Sequence, residues 1–183
     1  QIALPLVGHS LAPPGVIFIP ATRTATAIGI KITPTAAAIG ATVTYDGADH
    51  PGSGTCSNGL TPVRTYTGGT VPRDIGSYTL TVTCGAGSAV YETATATAAI
   101  SISVLTPTVS VLCPASVVFN GAAQAPCTAT VTGPGLSSLT PTPVYSANVN
   151  VGTASASVSY AGGGNYAPGS GSANFGITPA ATV

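Results

Sequence analysis

The stretch Ile100-Ser101-Ile102-Ser103-Val104-Leu105-Thr106-Pro107-Thr108-Val109-Ser110-Val111-Leu112-Cys113 decides the fold. Apolar and small polar residues alternate, break at one proline, and alternate again. Period two places successive side chains on opposite faces of a sheet, so both arms read as strands. Proline has no N–H to give to a ladder, so Pro107 marks where one strand ends and the next begins. The break recurs as Ile32-Thr33-Pro34 and Ile177-Thr178-Pro179, at intervals of 107 − 34 = 73 and 179 − 107 = 72 residues. The chain is therefore an internal repeat.

On either side of this stretch, the first full repeat runs from about Thr35 and the second from about Thr108. In the first, Ala41 to Tyr45, Thr55 to Ser57, Val63 to Tyr66 and Ile75 to Cys84 read as strands. A Gly-Ala-Gly-Ser turn follows, and then one long strand from Ala89 to Val104. Phe119-Asn120-Gly121 repeats the turn signal of Tyr45-Asp46-Gly47, Asn150-Val151-Gly152 repeats Asp74-Ile75-Gly76, and Asn165-Tyr166 repeats Val90-Tyr91. Short strands separated by turn signals, without helical periodicity, predict an all-β chain of β-sandwich type. The expected division is an arm over 1–34, one domain over 35–106 and a second over 107–183. Pro179 to Val183 reads as the opening of a third unit. With neither a leader nor an initiating Met, the chain reads as a processed product or an excerpt of a longer array, and both readings stand.

Composition narrows the function. Of 183 residues, 4 are basic and 4 acidic, so charged side chains make up only 4%. Globular domains carry about 25%. Net charge is zero, which removes the footprint needed to hold a phosphate backbone, so nucleic acid is excluded as a partner. An uncharged surface does little to resist self-association. No apolar run approaches the roughly 20 residues of a membrane helix. The four cysteines suit an oxidising compartment at or beyond the cell surface. Pairing within each repeat, Cys56 with Cys84 and Cys113 with Cys127, is the economical arrangement, although spacing does not fix connectivity.

Candidate chemistry is sparse. His50, Asp46, Asp49 and Ser53 are the one group with acid–base character. They share a Gly-Pro-rich turn, a poor platform for a nucleophile that needs a fixed base and a fixed orienting group. Asp74 and Glu92 are too scattered for a carboxylate pair. Asp46 and Asp49 with turn carbonyls suit a hard cation, but two acids fall short of a site. The tyrosines recur at equivalent places and read as core and corner packing rather than a glycan platform. No catalytic residue, cofactor or metal is expected. Exposed Ser and Thr offer places for O-linked sugars.

The N-terminal segment carries the sharpest expectation. Val16, Ile17, Phe18 and Ile19, then Ile28, Ile30 and Ile32, read as the last strand of a unit whose other strands are missing. An isolated strand with an open edge must pair with something. It is either the tail of a preceding domain in an array or a donor strand that fills a groove on the next chain. The latter builds a head-to-tail homopolymer.

Tyr45-Asp46-Gly47 or Phe119-Asn120-Gly121, then Asp/Asn-x-Gly with an alternating strand, then Asn165-Tyr166 and Ile-Thr-Pro, resemble bacterial surface Ig-like repeats of the MBG or YDG type. The run from Cys113-Pro114-Ala115-Ser116-Val117 to Cys127-Thr128-Ala129-Thr130-Val131 is an especially close match. The resemblance covers about residues 28 to 183, and Cys84 departs from it where Tyr160 stands later. It implies two tandem Ig-like sandwiches and a role as stalk, adhesin or surface structural protein rather than enzyme. The expected function is a subunit of an extracellular filament. The alternative is a stalk or adhesin segment that binds glycan or protein.

Overall fold

A computed structural model describes residues 30–181, which form thirteen strands and no helix. The first half holds β1 (Ala36–Ile39), β2 (Ala41–Thr44), β3 (Ser53–Cys56), β4 (Val63–Tyr66), β5 (Gly76–Cys84) and β6 (Ala94–Ser103). The second holds β7 (Thr108–Leu112), β8 (Ser116–Val118), β9 (Thr128–Gly133), β10 (Leu136–Leu139), β11 (Val144–Ser146), β12 (Gly152–Tyr160) and β13 (Gly169–Thr178). Each half builds a four-stranded sheet, β2-β6-β5-β4 or β11-β12-β13-β8, and a smaller one, β1-β3 or β10-β9-β7. The pairs β2–β6 and β8–β13 are parallel and all other pairs are antiparallel. No ladder joins a strand of one half to a strand of the other.

Alternation sets the faces. Along β5, Leu80, Val82 and Cys84 point inward and are fully buried, while Thr79, Thr81 and Thr83 stand on the other face. Ile100 and Ile102 of β6 join the same core, with Ala36, Ala38, Ala41 and Val43 packed on it. Burying each such Leu, Ile or Val stabilises by about 1.5–3 kcal/mol. Alanines and glycines let the sheets approach closely: a Cβ on Gly54 would lie 2.3 Å from Val82 Cγ2. The second core is Cys127, Ala154, Ala156, Phe175 and Ile177, with Tyr145 edge-on to Phe175. On the outer face Thr65, Thr81 and Thr97 stand side by side across β4, β5 and β6.

The structure revises two readings of the sequence. First, β6 and β13 share one inward–outward pattern at a spacing of 169 − 94 = 75 residues, so Ile177 is the counterpart of Ile102, not of Leu105. Ile177 is a core residue at 2% exposure. Pro179 therefore falls just past the strand end, where no ladder donor is required. Second, the strand expected over Ala89 to Val104 begins only at Ala94. Ser88 Oγ accepts from the N–H groups of Val90 and Tyr91, which turns this segment away from the ladder. Beyond these readings, among the described residues β10 has no counterpart in the first half, and the outer edge of β3 has no partner strand there where β9 carries one.

Val16, Ile17, Phe18, Ile19 and Ile28 of the expected linking strand lie outside the described residues. Ile30 is 90% exposed and Ile32 51%. Ile32 pairs within its own chain: its N–H donates to Val90 O and its carbonyl accepts from Glu92 N–H, both at 2.9 Å.

Candidate functional site at the joint

The best-defined constellation of side chains lies where the halves meet. The chain leaves β6 and reaches Leu105, whose N–H donates to Asn165 O at 3.0 Å and whose carbonyl accepts from Ala167 N–H at 2.8 Å. This is the bridge that Ile32 makes to residues 90–92, displaced by one repeat. Each half thus receives the incoming chain on the same turn.

Aromatic rings fill the joint. Tyr45 follows β2 and Tyr166 follows the turn of residues 162–165, and they meet edge-to-face with centroids 5.6 Å apart. They are 6% and 7% exposed. Such a pair adds about 0.5–1.5 kcal/mol beyond its buried area. Tyr166 donates its hydroxyl proton to Pro134 O. Two glycines make room: a Cβ on Gly133 would lie 2.5 Å from the Tyr166 ring, and one on Gly135 3.0 Å from the Tyr45 hydroxyl. Leu105, Leu136 and Tyr160 pack around the pair.

A polar clamp closes one side. Asn165 Oδ1 accepts from Ile75 N–H at 2.9 Å, and its Nδ2 donates to Asp74 Oδ1 at 2.8 Å. These residues stand about ninety positions apart in sequence, and one amide side chain satisfies both partners. Sequence reasoning set Asp74 aside as an isolated carboxylate. The signal lay in where the repeats differ, since Asn165 replaces Val90 and Asp74 replaces Asn150.

Burial raises the Tyr166 phenol above its ordinary value, and the neighbouring Tyr45 and Tyr160 add to the effect. A phenol whose folded-state pKa is raised contributes stability that is intact below the unfolded value near 10 and is lost as pH rises through the folded one. The joint should therefore loosen above about pH 10, before the cores unfold. Titrating tyrosinate absorbance alongside small-angle scattering checks this. A chain that elongates only when its circular dichroism collapses would contradict it.

The His50 group is placed differently. His50 Nε2 lies 3.0 Å from Asp46 Oδ1, and the His50 N–H donates to Pro72 O. Asp46 Oδ1 also accepts from Ala48 N–H at 2.8 Å. That backbone bond, with His50 alongside, holds the Asp46 carboxyl below its ordinary value. The pair thus caps the turn that presents Tyr45, and no hydrogen bond joins His50 to Ser53. No cluster of three or more His, Cys, Asp or Glu suited to a metal occurs among the described residues. An open cleft of about 440 Å³ runs beside the joint, with Asp49, Arg73, Asp74 and Tyr78 in its wall.

Disulfides join Cys56 to Cys84 and Cys113 to Cys127. The first ties β3 of the small sheet to β5 of the large one. The second ties the ends of neighbouring β7 and β9, and Tyr145 OH bonds both the N–H and the carbonyl of Cys127. Two disulfides fit an oxidising compartment, and no helix among the described residues is long and apolar enough to cross a membrane. No family model, curated protein or solved structure matches the chain.

Proposed function

We propose that this chain is a non-enzymatic structural element of an extracellular fibre, joined head to tail to its neighbours by β-strand addition through residues 16–32. One observation carries the reading: Ile32 docks on residues 90–92 as Leu105 docks on residues 165–167. The chain thus meets the first half at Ile32 through the same contact by which it meets the second at Leu105. Strand-like units placed in series by one recurring contact are what a fibre requires. β6 and β13 already sit inside four-stranded sheets, so an added strand would pair at an edge. Among the described residues the edge of β3 has no partner where β9 carries β10, and it is the natural acceptor. Low charge, two disulfides and the resemblance to surface repeats support the same reading, and the outer threonine rows are places for O-linked sugars.

The test is electron microscopy of the secreted material, without denaturation, for the intact chain and for a deletion of residues 1–29 that keeps the Ile32 bridge. Regular filaments from the intact chain and none from the deletion, with unchanged circular dichroism, are expected. Filaments that persist after the deletion, or isolated rods from the intact chain, would overturn the proposal.

A further inference from the structure

The joint has two faces, and each has a counterpart at the far end of the chain. The first half contributes Tyr45, Asp74 and Ile75; the second half carries Phe119, Asn150 and Val151 at the same places. The second half contributes Asn165 and Tyr166; the first half carries Val90 and Tyr91. The counterparts are more open than the residues inside the joint. Tyr166 is buried at 7%, whereas Tyr91 is half-buried. Asn165 is half-buried, whereas Val90 is 55% exposed. Tyr45 is 6% exposed, whereas Phe119 is half-buried, and Val151 is 51% exposed. At the ends Tyr91 and Phe119 are therefore more open than Tyr166 and Tyr45, which the opposite face covers within the chain, and Val151 is more exposed than Ile75, at 51% against 37%.

We propose that these end faces dock on each other between two copies of this chain, the Phe119 end of one seated on the Val90 end of the next. The inference rests on the head-to-tail reading and deepens it by naming a second surface besides the added strand. The occupant follows from the internal joint, which shows this pair of faces engaged. Asn165 meets Ile75 there, so Val90 would face Val151. The contact would differ from the internal one in two ways. The backbone bridge at Tyr91 is already taken by Ile32, so no strand crosses. The amide clamp is also missing, because Val90 stands where Asn165 does, leaving an apolar contact without charge on Val90, Val151 or Asn150.

The missing clamp gives a gain-of-function test. In Val90→Asn the new amide would accept from Val151 N–H and donate to Asn150, reproducing two hydrogen bonds of the internal joint. Sedimentation velocity of the 183-residue chain over a concentration series reads the result. The parent should self-associate, Val90→Asn should associate about tenfold more tightly, and Val151→Asp should lose most of the association. Mixing Val90→Lys with Val151→Asp should restore it, since the two charges then face each other across one contact. A monomeric parent together with a monomeric Val90→Asn would overturn the inference. Association that ignores all these substitutions yet disappears on deleting residues 1–29 would overturn the end-face contact and leave strand addition standing. Association that survives the deletion but is lost in Val151→Asp would do the reverse.

Discussion

Gly40→Ala should unfold the first half of the chain at a Tm lowered by more than about 10 °C. Gly40 is the single residue between β1, in the small sheet, and β2, in the large one. There the chain crosses directly over β6. A Cβ at this position would sit 1.7 Å from Ala99 O and 2.6 Å from Ala99 C. These are backbone atoms of a strand paired on both sides, to β2 and to β5, so they cannot retreat without breaking a ladder. Overpacking usually costs about 1–3 kcal/mol when side chains yield; here none can, and the cost should exceed about 3 kcal/mol. Gly59→Ala is the contrast. Gly59 has φ of 68°, and nothing lies within 4 Å of where its Cβ would sit, so only the left-handed backbone penalty of about 1–2 kcal/mol applies. Denaturant melts of the two variants check the ranking. Equal midpoints would show that the crossing is not tight.

Replacing Cys56 and Cys84 together by alanine should cost roughly 3.5 kcal/mol, the chain-entropy value for a closed loop of this size. The bond spans 28 residues, and Cys84 is fully buried. It also joins the two sheets, and the small sheet of the first half has only two strands. That sheet has little else to hold β3 in place. The Cys113–Cys127 bond spans 14 residues and should be worth slightly less, roughly 3 kcal/mol. It joins strands that β7–β9 pairing already aligns. Reductant should therefore destabilise the first half more than the second. Unfolding midpoints of each pair variant, with and without reductant, test the order; a first-half midpoint indifferent to both would refute it.

Much of the sheet architecture was legible in the residues. Ile75 to Cys84 alternates because one face of β5 is core and the other is not, and the same holds for β6 and β13. The division of residues 36–44 into two strands in different sheets was not legible. Ala36, Ala37 and Ala38 open that stretch with too little contrast to show a period, and the crossing depends on the carbonyl of Ala99, about sixty positions away. The early start expected for the Ala89 strand failed for a local reason, since Ser88 captures two N–H groups that a ladder would have used. Turn signals at Tyr45-Asp46-Gly47 were legible, but the role of Tyr45 was not. Burial at a corner and burial against Tyr166 leave the same trace in sequence. The Asn165–Asp74 clamp was hidden for a similar reason. It exists only where two unlike copies of one repeat meet, and agreement between copies, which revealed the repeat, conceals what is particular to each.

The parallel pairing of β2 with β6 bears on how the chain would carry tension. β2 lies near the start of its half and β6 at its end, so pulling the half from both sides slides these strands past each other along their length. The bonds from Ala41↔Ile100 to Thr44↔Ser103, together with that from Tyr45 N–H to Ser103 O, are then loaded in shear and must fail together. An antiparallel edge pulled the same way would unzip one bond at a time. β8 and β13 repeat the arrangement in the second half. Behind this latch, the Cys56–Cys84 bond keeps the residues it encloses from unravelling, so a half that yields would lengthen by less than its full contour and leave the thread intact.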